Sequence, residues 1–245
     1  MVSDANSWSS GWSAIAGRNE SEYYGEIAGR SHRQWENTSR KDYQADLWYN
    51  RNRNNISLKM IEKFCIDQVV LSIGGRSWME EELLDQLSAR EIVRTDLTIA
   101  KGVTYADALD LPFPDESFDF VICREVLEHV KDSRQAVLEA FRVLKPDGYY
   151  YITTPNGYNI APDGVMHVRA FTPVSLLKEL SDNGFTIIDK RGDVPNLFNA
   201  LLPLSSMGFE NVLEEFKMIE ELVDKSPSSY YTGTILYVLA QKVGK

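Results

Sequence analysis

From Gln68 onward the chain alternates between short apolar runs of β-type and amphipathic runs of helical period, and this alternation restricts the fold more than any other feature. The β-type runs are "QVVLSIG", "EIVRTDL", a short "GVTYADA", "SFDFVICRE", "GYYYITTP", "FTIIDKRG" and "TGTILYVLAQK". They are rich in Val, Ile, Phe and Tyr, which fit a pleated, buried surface. Between them, "MEEELLDQLSA" and "SRQAVLEAFRVL" read as helices, the second with Ala136, Val137, Ala140, Phe141 and Leu144 along one face. "TPVSLLKELSDNG" carries its own start and stop: Thr172 as N-cap, Pro173 in the first turn and Gly184 after the last. A further helix, from about Asp42 to Phe64, precedes the first strand, with Leu47, Ile56, Met60, Ile61 and Phe64 as apolar marks. The pattern predicts an α/β fold: a largely parallel, doubly wound, Rossmann-like sheet with helices on both faces.

At 245 residues the chain can bury one large core, and residues 41–245 read as a single domain. Residues 1–40 are polar, with Trp8, Trp12, Tyr23, Tyr24 and Trp35 interspersed, and read as an N-terminal arm that is either loose or a lid. An insertion at about residues 193–231 holds an amphipathic helix marked by Phe209, Val212, Leu213, Phe216, Ile219 and Val223, either an edge cover or a second lid. No segment approaches the roughly 18 continuous apolar residues of a membrane span, and the N-terminus lacks the basic start and apolar block of a secretory signal. A net charge of −10 argues against a nucleic-acid partner. The two cysteines, Cys65 and Cys123, form no CxxC or Cys/His cluster, so no metal is expected and a cytoplasmic setting fits.

In open α/β sheets, ligands bind beyond the carboxyl ends of the strands. There this sequence has Gly74 and Gly75 after the first strand, Asp96 after the second and Asp107 after the third. Arg124, Glu125 and then His129 follow the fourth; Thr154, Pro155 and Asn156 close the fifth. A carboxylate accepts two hydroxyl hydrogen bonds from a ribose, and a second acid or its neighbouring backbone suits an adenine amine. Strand-end aspartates also cap helices, but two of them beside a glycine pair favour a nucleoside ligand.

The run "YADALDLPFPDESFDFVICREVLEHVKDSRQAVLEAFRVLKPDGYYYITTPN" resembles the central part of the class I S-adenosylmethionine-dependent methyltransferases, small-molecule branch. Three blocks carry the resemblance, in order: Asp107 with Leu111-Pro112-Phe113 and Phe118-Asp119, then Glu125-Val126-Leu127-Glu128-His129, then Arg142-Val143-Leu144-Lys145-Pro146-Asp147-Gly148. It covers about Val69 to Asn156, and the pattern continues to Phe185. The resemblance implies a seven-stranded sheet with an antiparallel last strand, and S-adenosylmethionine as cofactor. It also implies site roles: Gly74 and Gly75 near the methionine moiety, Asp96 on the ribose, Asp107 and the Ala108 backbone at the adenine, and Arg124 and Glu125 at the methionine end.

The departures lie in "LSIGGRSW". The family has an acid where Ser72 stands and further glycines where Arg76 and Trp78 stand. Arg76 either reaches the cofactor carboxylate or is a surface cation paired with Glu80. The expected reaction is metal-independent methyl transfer to an oxygen, less readily a nitrogen, of a small metabolite: a sugar, a lipid or a natural product. Alignment of nucleophile, methyl and sulfur does much of such catalysis. For the proton, His167 on the loop after the fifth strand is placed ahead of His129 as general base, with Arg169 as substrate anchor. A catalytically silent member of the fold, acting as a binding or regulatory protein, is the alternative that the altered loop raises. A nicotinamide enzyme is disfavoured, because "GGRSW" lacks G-x-G-x-x-G.

Overall fold

Residues 40–158, 167–193 and 229–244 are described by the structure, a computed structural model. The proposed N-terminal lid and the amphipathic helix of the insertion lie outside them. Helix α1 (Arg40–Cys65) leads into β1 (Val69–Ile73), α2 (Trp78–Leu84), β2 (Glu91–Asp96), β3 (Thr104–Tyr105) and β4 (Phe118–Arg124). There follow α3 (Ser133–Val143), β5 (Leu144–Pro155), α4 (Pro173–Asp182), β6 (Phe185–Gly192), α5 (Ser229–Thr232) and β7 (Ile235–Lys242). The seven strands form one sheet in the order β3-β2-β1-β4-β5-β7-β6. β1 to β5 pair in parallel, and β7 slots between β5 and β6, antiparallel to both. The expected α/β class and antiparallel last strand are therefore observed.

Alternation along the strands divides the core. Leu71, Ile73, Val121 and Cys123 face one side, where Ala136, Val137 and Ala140 of α3 and Leu176 and Leu180 of α4 cover them. Val70, Phe120 and Ile122 face the other, against Met60 and Ile61 of α1 and Leu83 and Leu84 of α2. Both cysteines are free and buried, and burial pushes each thiol up to about 12. α4 starts and stops as its sequence predicts: Thr172 and Ser175 form a reciprocal capping box, and Gly184 takes φ +93°.

Three boundaries differ from expectation. β3 contracts to two residues because the chain turns at once into the Ala106–Ala108 loop. α2 ends at Leu84, where amides of Gln86 and Leu87 bond back to Leu83 and Leu84 and bring Leu87 down onto the core. β5 begins four residues earlier than Gly148, at Leu144, and carries the Lys-Pro-Asp-Gly turn as a register shift opposite β4, with Asp147 at φ 62°.

The sequence blocks that look like motifs are largely braces. Lys145 reaches Asp119 at 2.6 Å, while the other Asp119 oxygen accepts the Val69 amide at 2.9 Å, so one carboxylate joins the starts of β1, β4 and β5. Burial alone would raise this carboxyl; Lys145 and the Val69 amide outweigh it and hold it below its ordinary value. Arg142 on α3 donates to the carbonyls of Phe113 (2.7 Å) and Leu111 (2.9 Å), and Glu139 accepts the Leu111 amide at 2.8 Å. The Leu-Pro-Phe block is thereby clamped to α3, which fixes the loop after β3.

Where β6 meets the α5–β7 turn the backbones touch. A Cβ on Gly192 would lie 2.1 Å from the Ser229 carbonyl oxygen, whereas one on Gly102 meets nothing within 4 Å. Gly192→Ala is expected to cost about 1–3 kcal/mol or more from overpacking against rigid backbone. Gly102→Ala should cost only the left-handed φ strain, on the order of 1 kcal/mol. Urea unfolding of both variants checks this, and equal losses would contradict it.

Candidate active site

The order in which parallel strands are added switches direction between β1 and β4, and it is at the carboxyl ends of such a pair that folds of this kind form a ligand crevice. Gly74 follows β1 directly; its φ is +73°, and a Cβ there would sit 2.5 Å from Val126 Cγ2. At Gly75 a Cβ would lie 2.9 Å from Ser72 Oγ. The two glycines therefore let the β1–α2 turn close against the β4 side and against its own strand. The turn is pinned to β2: the Gly75 amide donates to Thr95 O at 2.9 Å, and Arg94 Nε donates to Gly75 O at 2.8 Å.

Beneath this turn lies a buried polar network on the α1–α2 face. Alternation puts Ser72 on that face with Val70, and Arg124 there with Phe120 and Ile122. Glu80 of α2 points inward: one oxygen accepts Ser72 Oγ at 2.8 Å and the other pairs with Arg124 Nη1 at 3.0 Å. Arg124 Nη2 donates to Asn54 Oδ1 at 2.9 Å, and Asn54 Nδ2 donates to Met79 O at 2.9 Å. The Glu80 and Arg124 side chains are each 5% exposed. This corrects one expectation: Glu80 is engaged inside the protein and is not the surface partner of Arg76. Arg76 itself is half-buried, with no hydrogen bond or ion pair among the described residues. The network also shows that the Arg124 guanidinium, expected at the methionine end, is held by Glu80 and Asn54 between the helices.

Glu125, the next residue, sits at φ 55°, uncommon for a residue with a Cβ and shared here by Asp67, Glu116 and Asp147. Its carboxylate accepts Thr153 Oγ1 at 2.9 Å and pairs with Arg53 of α1 at 2.9 Å. Sequence reading scored α1 for apolar marks and missed Arg53 and Asn54; no periodicity signals a polar residue that reaches a strand end.

On the other side of the crevice, Asp96 Oδ1 accepts the Thr98 amide at 2.8 Å, and the half-buried carboxylate has no second partner among the described residues. The Ala106 amide bonds to Asp96 O at 3.1 Å, which seats the loop of Asp107 and Ala108 next to it. Asp107 Oδ1 accepts the Leu109 amide at 2.9 Å and Ala108 is buried. Asp96, Asp107 and the glycine turn thus line adjacent strand ends, and a free acceptor on Asp96 fits the hydroxyls of a nucleoside.

The two histidines weighed as alternatives meet. The amides of Val168 and Arg169 donate to Glu128 O at 2.9 and 3.2 Å, docking the His167 loop onto the turn after β4. The His129 and His167 rings lie 5.1 Å apart between centroids. Arg169, taken as a substrate anchor, donates to Lys131 O at 3.0 Å and lies over Phe171, so it helps hold this loop. Glu128 beside them is 1% exposed. Burial, and then the nearby Glu125 charge, push its carboxyl well above the ordinary range. The sequence reading assigns Glu128 no role, although an acid directly before a histidine just past a strand is a signal for one.

A methyltransferase-domain family matches residues 82–152. A probable S-adenosylmethionine-dependent methyltransferase of Mycolicibacterium smegmatis is 27% identical over 165 residues, covering 61% of this chain and 63% of that relative. Residues 82–152 are thus similar to a methyltransferase domain, and the relative that aligns over the longer stretch is named for S-adenosylmethionine-dependent methyl transfer. The match spans less than two thirds of the mycobacterial relative's length. Among solved structures, the 1,6-didemethyltoxoflavin-N1-methyltransferase of Burkholderia thailandensis, bound to 1,6-didemethyltoxoflavin and S-adenosylhomocysteine, superposes with a TM-score of 0.56. It is 17% identical and the superposition covers 93% of this chain and 92% of that one. The [4+2]-cyclase SpnF superposes with a TM-score of 0.54 at 18% identity, over 79% of this chain and 81% of its own. These likenesses share the methyltransferase fold.

If Arg124 is a brace, removing it alone leaves Glu80 buried without a counter-charge. Arg124→Leu is expected to cost about 3–5 kcal/mol of stability. Glu80→Leu combined with Arg124→Leu should be more stable than Arg124→Leu alone, because no charge is then stranded. Denaturant unfolding of the single and double variants checks this; an additive double loss would contradict it.

Proposed function

We propose that the chain transfers a methyl group from S-adenosylmethionine to an oxygen of a small metabolite. The observation that carries this reading is the half-buried Asp96 carboxylate at the end of β2, one oxygen on the Thr98 amide and acceptor capacity left over. It stands beside the Asp107–Ala108 loop in a domain whose relatives are named for this cofactor. S-adenosylmethionine supplies an electrophilic methyl carbon on a sulfonium. The chain's own part is positional. Asp96 accepts the ribose hydroxyls, Asp107 and the Ala108 backbone border the adenine, and the close turn at Gly74 and Gly75 borders the amino-acid end. Arg76, half-buried beside that turn, is the cation available to the cofactor carboxylate. Glu125 is fixed by Arg53 and Thr153 and shapes the wall nearest the methyl group.

His129 and His167 stand on the loops after β4 and β5, where the acceptor enters in this fold, and they orient and activate the acceptor hydroxyl. An oxygen acceptor is preferred to nitrogen because a neutral hydroxyl needs help to lose its proton and these side chains offer it. The Burkholderia neighbour holds a small heterocyclic molecule, which supports a small-molecule acceptor. Among the described residues, no helix is long and apolar enough to cross a membrane. A cytoplasmic setting remains part of the proposal, supported by two buried, unpaired cysteines.

A second reading is favoured by Arg76 and Trp78 in place of glycines: a protein of this fold that does not transfer methyl groups, as the cyclase neighbour is named for another reaction. Calorimetry of the full chain separates the two. S-adenosylmethionine is expected to bind and NADH is not. Asp96→Ala should weaken S-adenosylmethionine by about 1.5–3 kcal/mol, roughly 10- to 150-fold in Kd. Absence of binding would favour the second reading; unchanged affinity in a folded Asp96→Ala protein would remove Asp96 from the site.

A further inference from the structure

Glu128, His129 and His167 form a cluster that methyl transfer by alignment alone does not require. One ligand-type atom from each lies within 4.8 Å of the others. Glu128 Oε1 is buried without a hydrogen-bond partner among the described residues, and it lies 3.9 Å from His129 Nε2. A buried carboxylate oxygen left this way is costly unless a cation or proton occupies it. Its second oxygen is oriented by Thr154 Oγ1 at 3.1 Å, the outer-sphere contact that fixes a liganding carboxylate. Glu125 is not a member of the cluster, because Arg53 and Thr153 hold its carboxylate.

We propose that Glu128, His129 and His167 bind a divalent transition-metal ion. Two imidazoles and one carboxylate suit zinc or iron better than magnesium or calcium, which prefer all-oxygen sites. Bonds of about 2.0–2.2 Å place tetrahedral ligand atoms about 3.3 Å apart. The observed spacings close to that with side-chain shifts on the order of 1 Å, and both histidines stand outside regular helix or strand. Three protein ligands leave a coordination position open. This deepens the proposed function and rests on it: the open position takes the acceptor oxygen. The acceptor hydroxyl, acidified by the cation, releases its proton to water. An oxygen lone pair then forms the O–CH3 bond as the S–CH3 bond breaks and its electron pair stays on sulfur, leaving the neutral thioether S-adenosylhomocysteine. Where the ion expands to five ligands, a neighbouring oxygen of the acceptor joins the first, so vicinal oxygens are the substrate chemistry such an ion selects. The sequence expectation of a metal-free site rested on the lack of a CxxC or Cys/His cluster, whereas this cluster joins a Glu-His pair on the turn after β4 to one histidine beyond β5.

The test uses the full chain, stripped with a chelator and titrated with Zn2+ by calorimetry, with Co2+ as a visible-absorption probe. One site per chain is expected, with a ligand-field spectrum for imidazole and carboxylate donors. His167→Ala and Glu128→Gln should weaken Zn2+ by 100-fold or more, and Thr154→Val, a positioning change, by about 10- to 100-fold. Binding of S-adenosylhomocysteine, measured on each variant, reports whether the fold is kept. If Glu128→Gln does not fold, His167→Ala decides. No stoichiometric site, or equal Zn2+ affinity in wild type and His167→Ala (an adventitious ion only), overturns the proposal. Loss of S-adenosylhomocysteine binding with the zinc site intact would instead overturn the cofactor reading and leave the metal site standing.

Discussion

The buried Arg124–Glu80 pair is the contact on which the carboxyl end of the sheet depends. Through it, β4 holds α2; through Ser72, α2 holds β1; through Asn54, α1 closes the same cluster. Four elements meet at one pair of charges, each about 95% withdrawn from water. Buried pairs add little net stability over apolar side chains of like size, but losing one partner is severe. We read this pair as a device of position: it sets where the β1–α2 turn lies relative to the end of β4, and the crevice between them follows.

That view explains how a turn with two glycines can replace a longer glycine loop. The turn does not need to wrap a phosphate, because the donor's amino-acid end carries only a carboxylate and an ammonium. Gly74 and Gly75 stand where the backbone touches Val126 and Ser72, and the following residues are free to differ. Ser72, in the place of an acid, receives Glu80 from the next helix, so a carboxylate returns to the neighbourhood by another route. At the opposite, amino-terminal end of the strands the Asp119 brace joins the starts of β1, β4 and β5, and Arg142 clamps the loop after β3 to α3.

The sheet was legible in the sequence because seven apolar runs bounded by turn residues allow few alternatives, and Thr172, Pro173 and Gly184 mark α4 to within a residue. That Asp96, Asp107 and the glycine pair stand just past adjacent strand ends was legible, because each follows an apolar run closed by turn residues. Less legible was anything joining distant segments. Arg53 and Asn54 sit 72 and 70 positions from Glu125 and Arg124, and no local pattern links them. His129 and His167 looked like rival candidates because a linear reading must choose between separate loops. The backbone bonds from Val168 and Arg169 to Glu128 bring them together, and carbonyl acceptors leave no trace in composition.

The central claim is that the shortened turn, braced by Arg124 and Glu80, forms one wall of an S-adenosylmethionine site. A crystal structure of the full chain with S-adenosylhomocysteine tests it most directly. The account predicts ribose hydroxyls on Asp96, the adenine beside Asp107 and Ala108, the amino-acid end over Gly74 and Gly75, and the Arg124–Glu80 pair unbroken beneath. A complex in which Arg124 leaves Glu80 to meet the ligand carboxylate, or in which the nucleoside lies away from Asp96, would contradict it.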